Sequence, residues 1–118
     1  MNSQAITLKV LGDDTILVTL GRVLDNSNAH EMVDTLCEAQ ADGYKNIIIE
    51  MSGLQFLSSA GVGSILGTVE ASREAGGDII LCNPAESIRH ILTVLDLAEF
   101  LTIVSDQAEA HQRCGIGD

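Results

Sequence analysis

The sequence predicts an α/β protein, with a mixed, mainly parallel sheet that opens on an antiparallel hairpin and carries helices packed against it. Three observations predict this class. Hydrophobic residues make up 46% of the chain and aromatic ones only 3%, so the core must be built from Ile, Leu, Val and Ala, as in layered folds with buried strands. Two runs, Ile47-Ile48-Ile49 and Ile79-Ile80-Leu81, are continuous and rich in β-branched residues, the pattern of parallel strands covered on both faces. Segments of helical period separate the runs, and that alternation implies right-handed crossovers between parallel neighbours. At 118 residues the chain is expected to form one domain over 1–118, ending in a short helix and frayed tail from about 106 to 118.

The first two elements form the hairpin. From Ala5 to Leu11, Ile6, Leu8 and Val10 alternate with Thr7 and Lys9, the period of a half-buried strand. Gly12-Asp13-Asp14 turns the chain, and Thr15 to Leu20 repeats the alternation with Ile16, Val18 and Leu20 on one face. Lys9 suits an edge position. After Gly21-Arg22-Val23-Leu24, the run Asp25-Asn26-Ser27-Asn28 is rich in capping residues, and Asn28 with Glu31 has capping-box spacing, so a helix is expected from Ala29. Met32, Val33, Leu36 and either Ala39 or Gln40 form its apolar stripe, and Gly43 is placed to end it. Glu31, Asp34 and Glu38 share another face, either solvated or suited to a basic partner.

The Ile47 run then feeds a loop and a second helix that begins at Ser58-Ser59. Val62, Ile65, Leu66 and Val69 lie on its inward stripe, and it ends near Gly76-Gly77. Asp78 to Cys82 is the next buried strand. Asn83-Pro84-Ala85-Glu86 combines an N-cap residue, Pro at the first helical position and Glu at the third, and Ile88, Ile91, Leu92 and Leu95 line the buried face of the helix that follows. Leu101 to Val104 is a last short strand, and a short acidic helix runs from Ser105 to about Arg113. The expected order is β-β-α-β-α-β-α-β-α.

Charge and cysteine usage exclude several functions. Asp and Glu number 17 against 6 Lys and Arg, a formal net charge of -11. Phosphate backbones and anionic membranes are recognised by clustered Lys and Arg, so neither nucleic acid nor a membrane surface is an expected partner. The surplus acid either serves solubility alone or matches a basic partner. Cys37, Cys82 and Cys114 are odd in number, widely spaced and without a neighbouring His at ligand spacing, so no metal site or disulfide framework is expected. No basic segment leads into an apolar run at the N-terminus, and no apolar stretch reaches the roughly 18 to 20 residues that span a bilayer. The expectation is a reducing, cytoplasmic protein.

Gly61, Gly63 and Gly67 superficially resemble a dinucleotide loop but sit inside a helical pattern, with no second mononucleotide half. Ser59 lacks a Gly-x-Ser-x-Gly frame and an acid-paired His. A phospho-accepting receiver domain would need an acidic pair after the first strand, an Asp after the third and a Lys near the fifth; Glu50 lies within the strand run and no such Lys is present. The chain is therefore expected not to be an enzyme and to carry no cofactor. What remains is the serine pair at a helix start, where exposed amide groups accept a hydroxyl, an anion or a phosphate. A cap explains one serine but not both. Interior glycines each cost up to about 1 kcal/mol relative to Ala, so Gly61, Gly63 and Gly67 also need a reason. With Ala60, Ser64 and Ala71 they make a small-residue face, either for close helix packing or for docking another protein's backbone.

The run Ser52-Gly53-Leu54-Gln55-Phe56-Leu57-Ser58-Ser59-Ala60-Gly61-Val62-Gly63 resembles the signature of STAS domains, specifically the bacterial anti-sigma factor antagonists. The likeness extends to Gly21-Arg22-Val23-Leu24-Asp25 and to Asn83-Pro84 with its following helix. It implies that Ser59 is a phosphoacceptor, that Ser58 stands where many relatives have Asp, and that Asp25 is an acidic residue brought close to the phosphorylation site. Together with the small-residue face, it makes Asp25, Ser58, Ser59, Ala60, Gly61, Gly63, Ser64 and Gly67 the expected partner-binding residues. The implied partners are an anti-sigma factor with serine kinase activity and a metal-dependent serine phosphatase. The alternative is a constitutive scaffold of the same fold, in a stressosome-like, chemotaxis-like or transporter-linked assembly, with Ser59 only a helix cap. Nucleotide or lipid binding, attributed to some STAS domains, finds no phosphate loop or basic pocket here.

Overall fold

The computed structural model describes residues 6–115. Its elements run β1 (Thr7–Val10), β2 (Thr15–Thr19), β3 (Val23–Leu24), α1 (Ala29–Ala41), β4 (Asn46–Glu50), β5 (Phe56–Leu57), α2 (Ser59–Glu74), β6 (Asp78–Cys82), α3 (Glu86–Val94), β7 (Thr102–Val104) and α4 (Gln107–Arg113). The main sheet has the order β1-β2-β4-β6-β7. The β1–β2 pair is antiparallel and every later pair in this sheet is parallel. The expected mixed, mainly parallel sheet with an N-terminal hairpin is therefore present.

Register explains why the isoleucine runs are continuous. Ile47 lies between Ile16 and Ile79, while Ile48 lies between Leu17 and Ile80. Successive strand residues point to opposite faces. Ile16, Val18, Ile47, Ile49, Ile79 and Leu81 join Met32, Leu36, Val62, Ile65, Val69, Ile88 and Leu92 in the main core, beneath α1, α2 and α3. Leu17, Ile48, Ile80, Cys82 and Val104 form a smaller cluster with Ala110 of α4 on the other face. Alternation is lost because both faces are covered.

Several local expectations are corrected. Leu8 and Val10 are 54% and 56% exposed, not half-buried, because β1 is the sheet edge and the helix layer stops short of it. Helix α1 does start at Ala29, but Asn28 provides no side-chain cap. Its Oδ1 accepts from the Asp25 N–H and its Nδ2 donates to the Val23 carbonyl, both at 2.9 Å; Asn28 braces the preceding loop instead of forming a capping box. Gly43 ends the helix as expected, in the left-handed region at φ 98°. Asn83 is also left-handed, at φ 58°, and turns the chain out of β6. Helix α3 consequently begins later, at Glu86, with Ala85 in the cap position. Leu95 is 49% exposed. The chain turns at Asp96, φ 65°, and Leu97 packs against the core in its place. The expected frayed end at 116–118, and Ala5 in the first strand, lie outside the described residues.

Strands β3 and β5 add to the expected order of elements. They are two residues each and pair in parallel, Val23 with Phe56 and Leu24 with Leu57, as a separate small sheet. No helix among the described residues is long and apolar enough to cross a membrane.

Candidate functional site

The site is assembled where the small sheet delivers two loops to the N-terminal end of α2. Gln55 and Phe56 donate their N–H groups to the Arg22 carbonyl at 2.7 and 3.1 Å, and Ser58 donates its N–H to the Leu24 carbonyl at 3.0 Å. The Ser58 N–H thus completes the Leu24–Leu57 pairing at the point where α2 begins, while Asp25 follows Leu24 on the partner loop. Buried Leu24, Leu54 and Leu57 hold both loops from below.

The two serines have different jobs. Ser58 is extended, at φ −94° and ψ 172°, and its Oγ accepts the Gly61 N–H at 3.2 Å. Its carbonyl accepts from Val62 at 2.9 Å, the first bond of the helix. Ser58 is thus the N-cap, and Ser59 occupies the first helical position. The scaffold alternative assigned the cap to Ser59; the structure moves it to Ser58 because only the residue before the helical turn can reach back to the free N–H groups. Ser59 is exposed, and no group among the described residues hydrogen bonds to its hydroxyl. Ser58→Ala is expected to cost about 1 kcal/mol in a denaturant-unfolding measurement while Ser59→Ala costs a few tenths at most; the reverse order would reassign the cap.

Asp25 contributes a fixed negative charge. Its Oδ1 accepts from the Ser27 hydroxyl at 2.6 Å and the Ser27 N–H at 2.8 Å. These bonds hold the Asp25 carboxyl below its ordinary value of 3.8, so it is ionised at neutral pH.

The small-residue face divides in two. Gly61 and Ser64 are buried. A Cβ on Gly61 would lie 2.5 Å from the Leu24 carbonyl oxygen and 3.0 Å from both Leu24 Cγ and Leu57 Cδ1. The Ser64 hydroxyl donates to the Gly61 carbonyl at 2.6 Å. Farther along α2, Gln40 of α1 donates its Nε2 to the Thr68 carbonyl and the Ser72 hydroxyl oxygen, at 2.8 and 2.9 Å. This stripe is packing, against the β3–β5 pair at Gly61 and against α1 at Thr68 and Ser72. Gly63 and Gly67 are exposed, with nothing within 4 Å of an added Cβ. Ala60, Gly63 and one edge of Ser64 face Asn26, Ala29, His30 and Val33 across an open groove of about 390 Å³.

Asn26, Ala29, His30 and Val33 were not singled out from the sequence. The available signal was their position directly after Asp25, in a segment otherwise read only as a helix start. No Lys or Arg lines the groove. His30 Nε2 lies 3.8 Å from the Asp34 carboxylate, on the exposed face of α1.

The STAS domain family matches residues 5–110 of this chain. The chain belongs to the STAS family. This STAS domain is 25% identical over 96 residues to the anti-sigma F factor antagonist of Paenibacillus polymyxa, covering 80% of this chain and 82% of that one. It superposes on the anti-sigma factor antagonist SpoIIAA in its unphosphorylated form with a TM-score of 0.82, at 23% identity, over 97% of this chain and all of the other, 100%. For the Bacillus cell fate determinant SpoIIAA in its phosphorylated form, the TM-score is 0.73 at 22% identity, over 92% and 98% of the two chains. At these identities the superpositions show a common fold. The α2 cap, the Asp25 loop and the groove are features of this STAS domain's own residues.

Proposed function

We propose that this STAS domain is an anti-sigma factor antagonist whose docking surface is switched by phosphorylation of Ser59. In the free-hydroxyl form it binds an anti-sigma factor that is also a serine kinase and thereby releases a sigma factor. The kinase modifies Ser59 using its own ATP, and a metal-dependent serine phosphatase restores the free form. The observation that carries this reading is the division of labour in the serine pair: Ser58 takes the cap, leaving the Ser59 hydroxyl exposed and unengaged at the start of α2. The names of the Paenibacillus relative and of the two forms of SpoIIAA support it.

The electrostatics are consistent with a reversible switch. A phosphate at Ser59 adds roughly −1.5 to −2 charges at neutral pH. The helix N-terminus stabilises that charge, so the fold tolerates it. With no Lys or Arg lining the adjacent groove, the phosphate gains no charge-paired clamp there and remains accessible for removal. Its effect falls on the partner, which must dock beside Ala60 and Gly63 against added bulk and charge, next to ionised Asp25.

Incubation with a cognate anti-sigma kinase and ATP, followed by peptide mass spectrometry, tests the assignment. One phosphate is expected on Ser59, and none after Ser59→Ala. Phosphate on Ser58 or elsewhere with Ser59 unmodified would overturn it.

A further inference from the structure

Glu50 ends β4 and is only 7% exposed. Among the described residues it pairs with no Lys, Arg or His. Its carboxylate is instead held by neutral donors from two parts of the fold. Gln107 at the start of α4 donates its Nε2–H to Oε1 at 2.9 Å, and Ser52 donates its backbone N–H to Oε2 at 3.1 Å. The Cys82 thiol on the neighbouring strand is pushed up to about 12 by burial first and then by the nearby Glu50, so the thiol stays protonated.

A buried carboxylate without a cation is costly, and an apolar residue is often at least as stabilising in such a place. Ile48, two residues earlier on the same face, shows that the α4 side of β4 accepts an apolar side chain. Glu50 therefore needs a reason beyond filling space. Its position supplies one. The loop leaving β4 passes from Ser52 through buried Leu54 and the Arg22-bonded amides of Gln55 and Phe56 to Ser58. One carboxylate oxygen holds the first N–H of that loop, and the other holds α4 on the opposite face of the sheet from α2.

We propose that Glu50 is a positioning residue for the serine pair, fixing the path of residues 52–58 and making that path depend on the seating of α4. What the positioned site does rests on the phosphoserine reading above; the link between α4 and the loop stands independently of it.

The test is residue-resolved amide hydrogen exchange on the full chain, with three variants. Gln107→Ala removes the α4 donor at a helix position where Ala is well tolerated. Glu50→Gln leaves an amide that cannot accept from both donors. The double variant Glu50→Gln/Gln107→Glu restores both bonds with the α4 polarity reversed, since the amide placed at position 50 keeps its oxygen for the Ser52 N–H and gives its own N–H to the carboxylate placed at position 107. Each single variant is expected to speed exchange at Ser52 and Ser58 by about 3- to 10-fold, the loss of one hydrogen bond, while protected amides in α2 keep their rates. The double variant is expected to return the loop to wild-type rates. Changes confined to α4, an equal acceleration throughout the protein, or a double variant whose loop stays fast would each overturn the proposal. No kinase enters this measurement, so its failure leaves the phosphoserine reading standing. A loop that responds in a protein that never takes phosphate on Ser59 overturns that reading alone.

Discussion

Ser59→Asp is expected to weaken binding to the proposed anti-sigma partner by about 10- to 1000-fold, equivalent to about 1.4 to 4 kcal/mol, while Ser59→Ala binds close to wild type. The expected loss is local in origin. The chain already carries a formal net charge of -11, and exposed charges more than about 8 Å apart are largely screened at physiological ionic strength. One more unit hardly alters the long-range field. What changes is the contact around Ser59, where Ala60 and Gly63 offer little bulk and the groove offers no Lys or Arg to compensate a carboxylate. A partner group seated there loses contact and meets uncompensated charge. The domain itself is not expected to weaken, because an acidic side chain in the first turn of a helix contributes roughly 0.3 to 1 kcal/mol of stabilisation. Calorimetric titration of the partner, paired with thermal unfolding of each variant, separates these effects. Equal affinity for wild type and both variants would favour the constitutive scaffold.

Gly61→Ala is expected to destabilise the fold by about 1 to 3 kcal/mol, the usual range for overpacking, even though Ala is the better helix former by up to about 1 kcal/mol. The added Cβ meets the Leu24 carbonyl at 2.5 Å. That carbonyl accepts the Ser58 N–H, so relieving the clash shifts the contact that aligns the two loops of the site. Gly63→Ala, two residues on, is the control. Nothing lies within 4 Å of its Cβ, so the helix-propensity gain of up to about 1 kcal/mol is expected to appear undiminished. Urea unfolding of the two variants should therefore move in opposite directions, and a Gly61→Ala protein as stable as Gly63→Ala would remove the packing explanation for Gly61.

These two glycines show what pattern reading can and cannot extract. Both are helix-interior glycines on what the sequence presents as one small-residue face, and packing and docking are equally valid explanations for it. Only the tertiary contacts separate them: Gly61 lies on Leu24 and Leu57 of the β3–β5 pair, and nothing lies within 4 Å of a Cβ at Gly63. Gly61, Ser64, Thr68 and Ser72 fall on the stripe turned toward buried structure, whereas Gly63 and Gly67 fall outside it. The serine pair behaves likewise. Two adjacent hydroxyls both suit a helix start, and the backbone conformation at Ser58 decides which one is the cap.

The sequence by itself determined the sheet, three helices close to their observed limits and the helix start at Ser58-Ser59. These rest on local periodicity and on burial of a continuous apolar run, which nearest neighbours along the chain already encode. Tertiary structure decided the rest. It created β3 and β5, too short to have a period and stable only as a pair joining residues more than thirty positions apart. It turned Asn28 and Asn83 from apparent caps into a loop brace and a left-handed turn. It also set Glu50 between α4 and the loop that carries the serines. For β3, β5 and Glu50 the deciding interaction is a hydrogen bond between segments distant in sequence, while for Asn28 and Asn83 it is a loop geometry that residue type alone does not fix.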